Sequence, residues 1–272
     1  MMLTGIEVET PLGAILPLDL HDTSRGFAIS GIDGLDPVKA TIVSSSFAKV
    51  DGSQYQSSRR ESRNMVIKID LLSKIRPAQD SRQELYSYFM PKSWVTIRFL
   101  TDTDLVLEIL GMVESFESPK FVKNTFANIS IICFDPDFKD TVPTLINGVT
   151  VSDNTDMIIN YAGTVETGIV LKVYPDKIID SFVLFHTDPS GVVRTLDYDG
   201  AIFPNQVLTI NTIAGQKKAT IFSNGAEDSH LWSISPFSNW TELFQGENKI
   251  RIVTSDGPVP YTIEYATRYG GL

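Results

Sequence analysis

Cysteine occurs once in this chain of 272 residues, at Cys133 inside an apolar run. One thiol cannot build an intrachain disulfide framework, and in such surroundings it packs as a small hydrophobe. Histidine is nearly as scarce. His21, His186 and His230 lie far apart in the sequence, and none has metal-ligand spacing. There is no Gly-x-Ser-x-Gly elbow, no phosphate-binding Walker pattern and no Gly-x-Gly-x-x-Gly. No apolar run approaches the eighteen residues of a membrane span. The opening MMLTGIEVET has no basic segment followed by an apolar one, so no signal peptide is expected and synthesis is expected in a cytoplasm. A basic block is missing too. The net charge of −10 is spread over both halves, with 15 basic and 19 acidic residues in 1–140 and 8 and 14 in 141–272. Such a chain is a poor binder of nucleic acid or anionic membrane.

What remains is an ordinary globular balance, 42% hydrophobic and 21% charged, long enough to bury a substantial core. Apolar–polar alternation dominates, the mark of half-buried strands. In the first half it falls on Val38–Val43, Met65–Leu71, Trp94–Leu100, Leu105–Phe116 and Phe121–Phe134, with weaker alternation over Leu3–Leu12. Gly111 reads as a bulge. The segment 80–90 is the one convincing helix. Ser81 and Glu84 have capping-box spacing, Leu85 and Phe89 are four apart, and Pro91 closes it. Residues 51–64 carry no periodic apolar face and read as a long polar connection. Asp135-Pro136-Asp137, Pro143 and Asn147-Gly148 mark a junction near 140–150. The expected domains are therefore 1–142, antiparallel β with one helix, and 143–272. The second is a series of short strands separated by turns such as Asp188-Pro189-Ser190-Gly191 and Asn224-Gly225, which predicts a β-sandwich. Its strand order, jelly-roll or otherwise, is not fixed by pattern alone.

Few residues invite chemistry. The pairs Asp135/Asp137 and Asp197/Asp199 could flank a sugar, but Asp135-Pro136-Asp137 and Asp197-Tyr198-Asp199-Gly200 have turn composition. No catalytic, cofactor or metal residue is assigned, and the chain is not expected to be an enzyme. Arg59, Arg60 and Arg63 form the only basic cluster, and on an acidic chain they suit a neighbouring subunit's carboxylates. Trp232, Phe237, Trp240 and Phe244 lie close together in sequence. Trp232 and Trp240 are candidate sugar-stacking residues, weighed against simple core filling.

Several of these stretches also carry a family resemblance. Gly31–Pro37 (GIDGLDP), Lys39–Ile42 (KATI), Asp51-Gly52-Ser53 and Ser57…Asn64 resemble the opening of the distal tail protein family of long-tailed, non-contractile bacteriophages. Ser81–Phe89 is similar to that family's helix, and Ile129–Asp140 to the end of its N-terminal domain. Asn160–Gly168 and Ser238-Asn239-Trp240…Leu243-Phe244…Gly246-Glu247-Asn248 resemble its C-terminal domain. The resemblance implies an N-terminal β-sandwich with one helix and a galectin-like C-terminal sandwich. It implies a homo-oligomeric, hexameric hub ring in the virion tail tip. Tail tube protein, tape measure and tail-associated tip protein would be its partners, with host cell-wall carbohydrate as a further one. The alternative is a carbohydrate-binding module for host-surface glycans. Discrete contact surfaces, rather than a reactive cleft, are what either reading requires.

Overall fold

In the computed structural model the chain forms two compact units, Met1–Thr141 with Tyr269–Leu272, and Val142–Arg268. The structure describes all residues except 1, 21, 49–50, 104, 151–154 and 255. The architecture is mainly antiparallel β with one α-helix, as expected from the alternation.

The first unit contains β1 (Leu3–Glu9), β2 (Ile15–Asp19), β3 (Phe27–Asp33), β4 (Ala40–Ser45), β5 (Gln54–Arg60), β6 (Arg63–Leu71), α1 (Ala78–Tyr88), β7 (Trp94–Thr101), β8 (Val106–Glu117), β9 (Phe126–Cys133) and β10 (Phe138–Asp140). One sheet runs β2-β1-β7-β8-β9-β6-β3, and β10 pairs with β8. Alternate residues of the long strands share one core: Ile6 and Val8, Met65, Ile67 and Ile69, Val95, Ile97 and Phe99, Ile129 and Ile131. Leu85 and Phe89 of the helical segment enter the same core. This is the four-residue spacing read from the sequence, which places two side chains on one helix face.

Three local expectations are corrected here. The capping box does not form. Pro77 is the N-cap without a side-chain hydrogen bond, Ser81 is buried, and Glu84 is paired with Arg25 and Arg76. Proline suits a helix start because its missing N–H lies where no intrahelical partner exists. Gly111 is not a bulge. It pairs in register with Val95, and the register shift falls between Val113 and Ser115. Glycine is required because a Cβ there would lie 2.5 Å from Ile131 Cγ2 and 2.9 Å from Cys133 Sγ. Finally, residues 51–64 are not a loop. They contain β5 and the start of β6, and β5 pairs with β4 as a separate two-stranded hairpin, from Ala40↔Arg60 to Ser45↔Gln54.

The second unit contains β11 (Thr144–Val149), β12 (Met157–Tyr161), β13 (Thr167–Gly168), β14 (Val170–Val173), β15 (Ile179–Thr187), β16 (Val193–Ile202), β17 (Val207–Asn211), β18 (Lys218–Ser223), β19 (Ala226–Ser229), β20 (Glu242–Leu243), β21 (Gly246–Val253) and β22 (Pro260–Tyr265). The short strand β23 (Arg268–Tyr269) pairs with β10. Sheets β11-β22-β14-β17-β18-β19 and β12-β21-β15-β16 share one core. Leu171, Leu208, Ile210 and Ile263 come from the first sheet and Ile159, Leu184, Leu196 and Ile250 from the second. Two antiparallel sheets with one shared interior are a β-sandwich. Asn224 and Gly225, both at positive φ, close the two-residue turn between β18 and β19, as a type I′ hairpin demands.

Two turn readings fail in this half. Asn147-Gly148 lies inside β11, opposite Thr262 and Tyr261, and a Cβ on Gly148 would strike the Tyr261 ring at 2.4 Å. Asp197 and Asp199 lie within β16, paired with Val183 and Ser181, while Leu196 and Tyr198 point into the core. Their composition resembled a turn because they occupy the wetter face of a strand.

Candidate docking surfaces

The β4–β5 hairpin is the most exposed regular element of the first unit. All seven residues of β5 are exposed, and Ile42 (66%), Phe47 (61%) and Tyr55 (62%) present large apolar surface to solvent. Tyr55 Oη and Ser58 Oγ are 2.8 Å apart, and Ser58 lies opposite Ile42. Ile42 and Tyr55 therefore share one face of the hairpin.

The arginine cluster builds the root of this arm. Arg63 is buried to 1% exposure. Its Nε donates to Pro136 O (2.7 Å), Nη1 to Asp36 O (2.7 Å) and Gly34 O, and Nη2 to Gly270 O (2.7 Å), with the guanidinium 4.4 Å above the Phe138 ring. Burial pulls its pKa below the ordinary arginine value. Arg60 pairs with the fully buried carboxylate of Asp137, and its Nη2 donates to Oδ2 at 2.8 Å. Glu61 accepts from Thr41 Oγ1, and its backbone N–H donates to Lys39 O at 3.0 Å. Arg59 and Arg60 both lie on β5, and of the three arginines Arg59 alone has no ion pair or guanidinium–carbonyl anchor among the described residues. The spacing in sequence grouped three arginines, but strand direction separates them: two fasten the arm internally and one faces outward.

Beside this root lies a cleft of about 370 Å³, lined by Trp94, Thr96, Leu110 and Phe134, with Glu108, Asp135, Asp137 and Lys139 among its polar residues. The Trp94 and Phe134 rings are 5.9 Å apart and tilted by 54°. Leu110 is 53% and Phe134 62% exposed. Asp135 is paired with Lys139 at 2.8 Å, and Glu108 lies 3.5 Å from Arg98. The aspartates of this cleft are thus held by cations.

In the second unit the candidate tryptophans part company. Trp232 is 75% exposed beside His230, on a short 3₁₀ turn at Leu231–Ser233, and Phe237 is likewise exposed. Trp240 is half-buried against the sandwich core, with Lys217 Nζ 5.7 Å from its ring centroid. Phe244 stacks on His186, and the Arg194 guanidinium lies 5.3 Å from the Phe244 ring centroid.

His186 is fully buried. Its Nε2 is 3.0 Å from Asn248 Oδ1, while the Asn248 amide nitrogen donates to Phe244 O and Gly246 O. Oδ1 is therefore the acceptor and Nε2 carries the proton. Nδ1 is buried without a hydrogen-bond partner. Burial, the largest cause, lowers the imidazole pKa, and the Asn248 bond acts against it. Nearby, Asp188 accepts from Ser190 N, Ser190 Oγ, Val192 N and Arg194 Nη1. Those bonds hold its carboxyl far below the usual carboxylate range. This closes the Asp188-Pro189-Ser190-Gly191 turn expected from the sequence, with Gly191 at φ +85°. Cys133 is buried and desolvation pushes its thiol up to about 12, leaving an inert side chain. His21 lies outside the described residues. No group of three or more metal-binding side chains occurs among the described residues, and no described helix is long and apolar enough to cross a membrane.

Residues 162–269 match the family model of the siphovirus-type tail component, C-terminal domain. Over its whole length the chain has the fold of the SPP1 Dit protein, described as a paradigm of the hub adsorption apparatus in phages that infect Gram-positive bacteria. The TM-score is 0.68 at 12% identity, covering 97% of this chain and 98% of that one. Structures of the phage P2 baseplate in its activated conformation, with calcium and with strontium, align at 9% identity and a TM-score of 0.46, over 98% of this chain and 99% of theirs. No curated protein sequence matches. The family resemblance read from the residues is thereby borne out, most directly for the second unit.

Proposed function

We propose that this chain is a distal tail protein, a hub that closes into a hexameric ring at the tip of a phage tail. The observation that carries the reading is the whole-chain fold shared with a phage tail hub, together with the tail-component match over residues 162–269. The ring joins the tail tube to the tip, so its partners are the tail tube protein, the tape measure and the tail-associated tip protein. The protein is made in the host cytoplasm and works in the virion. Its work is mechanical, and no catalytic step is assigned to it.

A closed ring needs two different faces on each copy, one donating and one accepting. The β4–β5 arm supports this reading as the donating face. It is regular, it carries apolar side chains in water, and its root is fixed by Arg60 and Arg63. The test is mass in solution and negative-stain microscopy of the full chain and of a variant with residues 42–58 replaced by a short turn. Arg60 and Arg63 stay in place because they belong to the fold of the first unit. Rings in the full chain that are lost in the variant uphold the proposal. Rings that survive remove the arm from the contact.

A second reading, host-glycan recognition by the second unit, is favoured by one observation: Trp232 and Phe237 present aromatic surface to solvent. Stacking of a sugar on an open indole face needs that exposure.

A further inference from the structure

We propose that residues 269–272 are a latch: seated, they lock segment 34–37 of the first unit, and a copy enters the ring only in that state. Entry into the ring rests on the ring reading above. The latch itself stands on the first unit alone, to which Tyr269–Leu272 belong.

Three observations carry it. First, the segment completes a buried charge site. Arg63 is buried, and Gly270 O accepts from its Nη2 at 2.7 Å. The carbonyls of Pro136, Gly34 and Asp36, which take its other nitrogens, come from distant parts of the same unit. Without Gly270 a buried guanidinium loses an acceptor, and that is costly unless water enters in its place. Water that enters also competes for the Gly34 and Asp36 carbonyls. Second, the segment lies closely on residues 35–37. Leu272 N–H donates to Leu35 O at 3.0 Å, and Leu35, Tyr269 and Leu272 all pack against the core of the first unit. A Cβ on Gly271 would lie 2.8 Å from Pro37 Cδ, 3.0 Å from Pro37 N and 3.1 Å from Leu35 O. These are proline-ring and backbone atoms that cannot swing aside, so glycine is what admits the approach. Third, the attachment is slight beside that of the sheet. The fully buried core of the first unit is drawn from Ile6 to Phe138, while residues 269–272 are only half-buried. Stretches with few buried contacts open at the low end of a protein's stability range. The latch can therefore leave while the sheet stays folded, and segment 34–37, which runs on toward β4, is loosened with it.

The order of synthesis gives such a device its use. Residues 269–272 are translated after the whole of the second unit, so a chain stopped anywhere in that unit lacks the latch. A ring that admits only latched copies excludes those fragments.

The experiment compares the full chain with Gly271→Val, which wedges the latch off Pro37, and with a chain ended after Arg268. Hydrogen exchange, read by mass spectrometry, follows residues 34–40 against strands β6 and β9. In both variants exchange over 34–40 is expected to accelerate about tenfold or more while β6 and β9 keep their protection. Mass in solution is expected to fall from the oligomer to single chains, 30.2 kDa at full length. Unchanged exchange over 34–40 in both variants overturns the latch. Loss of protection throughout β6 and β9 overturns it too, because the segment is then an ordinary part of the core. Selective opening with rings intact removes the gate on assembly and leaves the ring reading standing. An unaltered protein that stays monomeric at its highest soluble concentration takes down the ring reading and the gate together, while the exchange data still decide the latch.

Discussion

Arg60 holds both carboxylate oxygens of Asp137 with its two terminal nitrogens, and the carboxylate is completely shielded from solvent while the guanidinium is 38% exposed. The pair joins the last residue of the arm to the turn before β10. Removing one partner of a shielded pair is costly because the other charge is left without compensation. Arg60→Ala is expected to destabilise the first unit by about 3 kcal/mol, because it takes this partner from the shielded Asp137 carboxylate, read as a shift in the urea midpoint. Asp137→Ala should cost less, since the guanidinium it leaves behind is 38% exposed and can be solvated. A double-mutant cycle separates the coupling from the two single losses. A coupling near zero would show that the pair does not fasten the arm.

Arg63 gives a second prediction. Its fork reaches backbone carbonyls from three stretches of chain: Gly34 and Asp36, Pro136, and Gly270. A lysine has one ammonium on a flexible stem and cannot span this spread. Arg63→Lys is therefore expected to behave much like Arg63→Met, each destabilising by roughly 3–5 kcal/mol. Hydrogen exchange at Leu272 N–H, which donates to Leu35 O at 3.0 Å, should accelerate in both. Full protection of that amide in Arg63→Lys would contradict the assignment.

These same residues show what the sequence could and could not disclose. Strands with one buried face, such as β6 and β9, alternate strictly and were legible. β5 reads QYQSSRR and has no buried face, so it leaves no period-two signal and looked like a loop. Burial, not strand geometry, writes the alternation. Arg63 was legible as one of a basic cluster but not as a core residue. Its partners are backbone carbonyls, which any sequence supplies. The return of residues 269–272 to the first unit has no local signature either. Gly148 and Asp199-Gly200 carried turn composition for unrelated reasons: Gly148 yields to the Tyr261 ring, and a Cβ on Gly200 would meet Ser233 Oγ at 2.5 Å.

His186 predicts a pH dependence with a definite sign. Its folded pKa lies below the unfolded value of 6.5, first because it is buried. The neutral form is the one that fits, with the proton on Nε2 and Nδ1 facing no acceptor. Arg194 opposes a second proton and Asp188 favours it, on opposite sides of the balance. The unfolded chain thus binds more protons below pH 6.5, and stability is lost as pH falls through that value toward the folded pKa. Between pH 7.5 and 5.5 this one group contributes a loss of up to about 1.4 kcal/mol. Urea titrations of the full chain at the two pH values measure it, with the His186→Leu variant as control. The variant should be less stable at pH 7.5, because the buried His186–Asn248 hydrogen bond is lost while Asn248 Oδ1 keeps only the Phe244 N–H, but should show a shallower pH slope. An unchanged slope would assign the effect to other groups.

Trp232 and Trp240 separate the two functional readings. Trp240 packs on the sandwich core, so Trp240→Ala removes buried aromatic area and is expected to destabilise the second unit by about 2–3 kcal/mol whatever the protein binds. A loss of glycan signal in that variant would not distinguish recognition from misfolding. Trp232 stands on the 3₁₀ turn with most of its surface in solvent, so Trp232→Ala should leave the melting temperature within about a degree, as exposed substitutions away from special features do. A glycan array of the full chain then gives a clean answer. Specific binding that falls at least tenfold in Trp232→Ala, with melting unchanged, assigns host-sugar recognition to this face. Silence from the unaltered protein on a broad array of bacterial cell-wall glycans removes the glycan reading from Trp232 and Phe237.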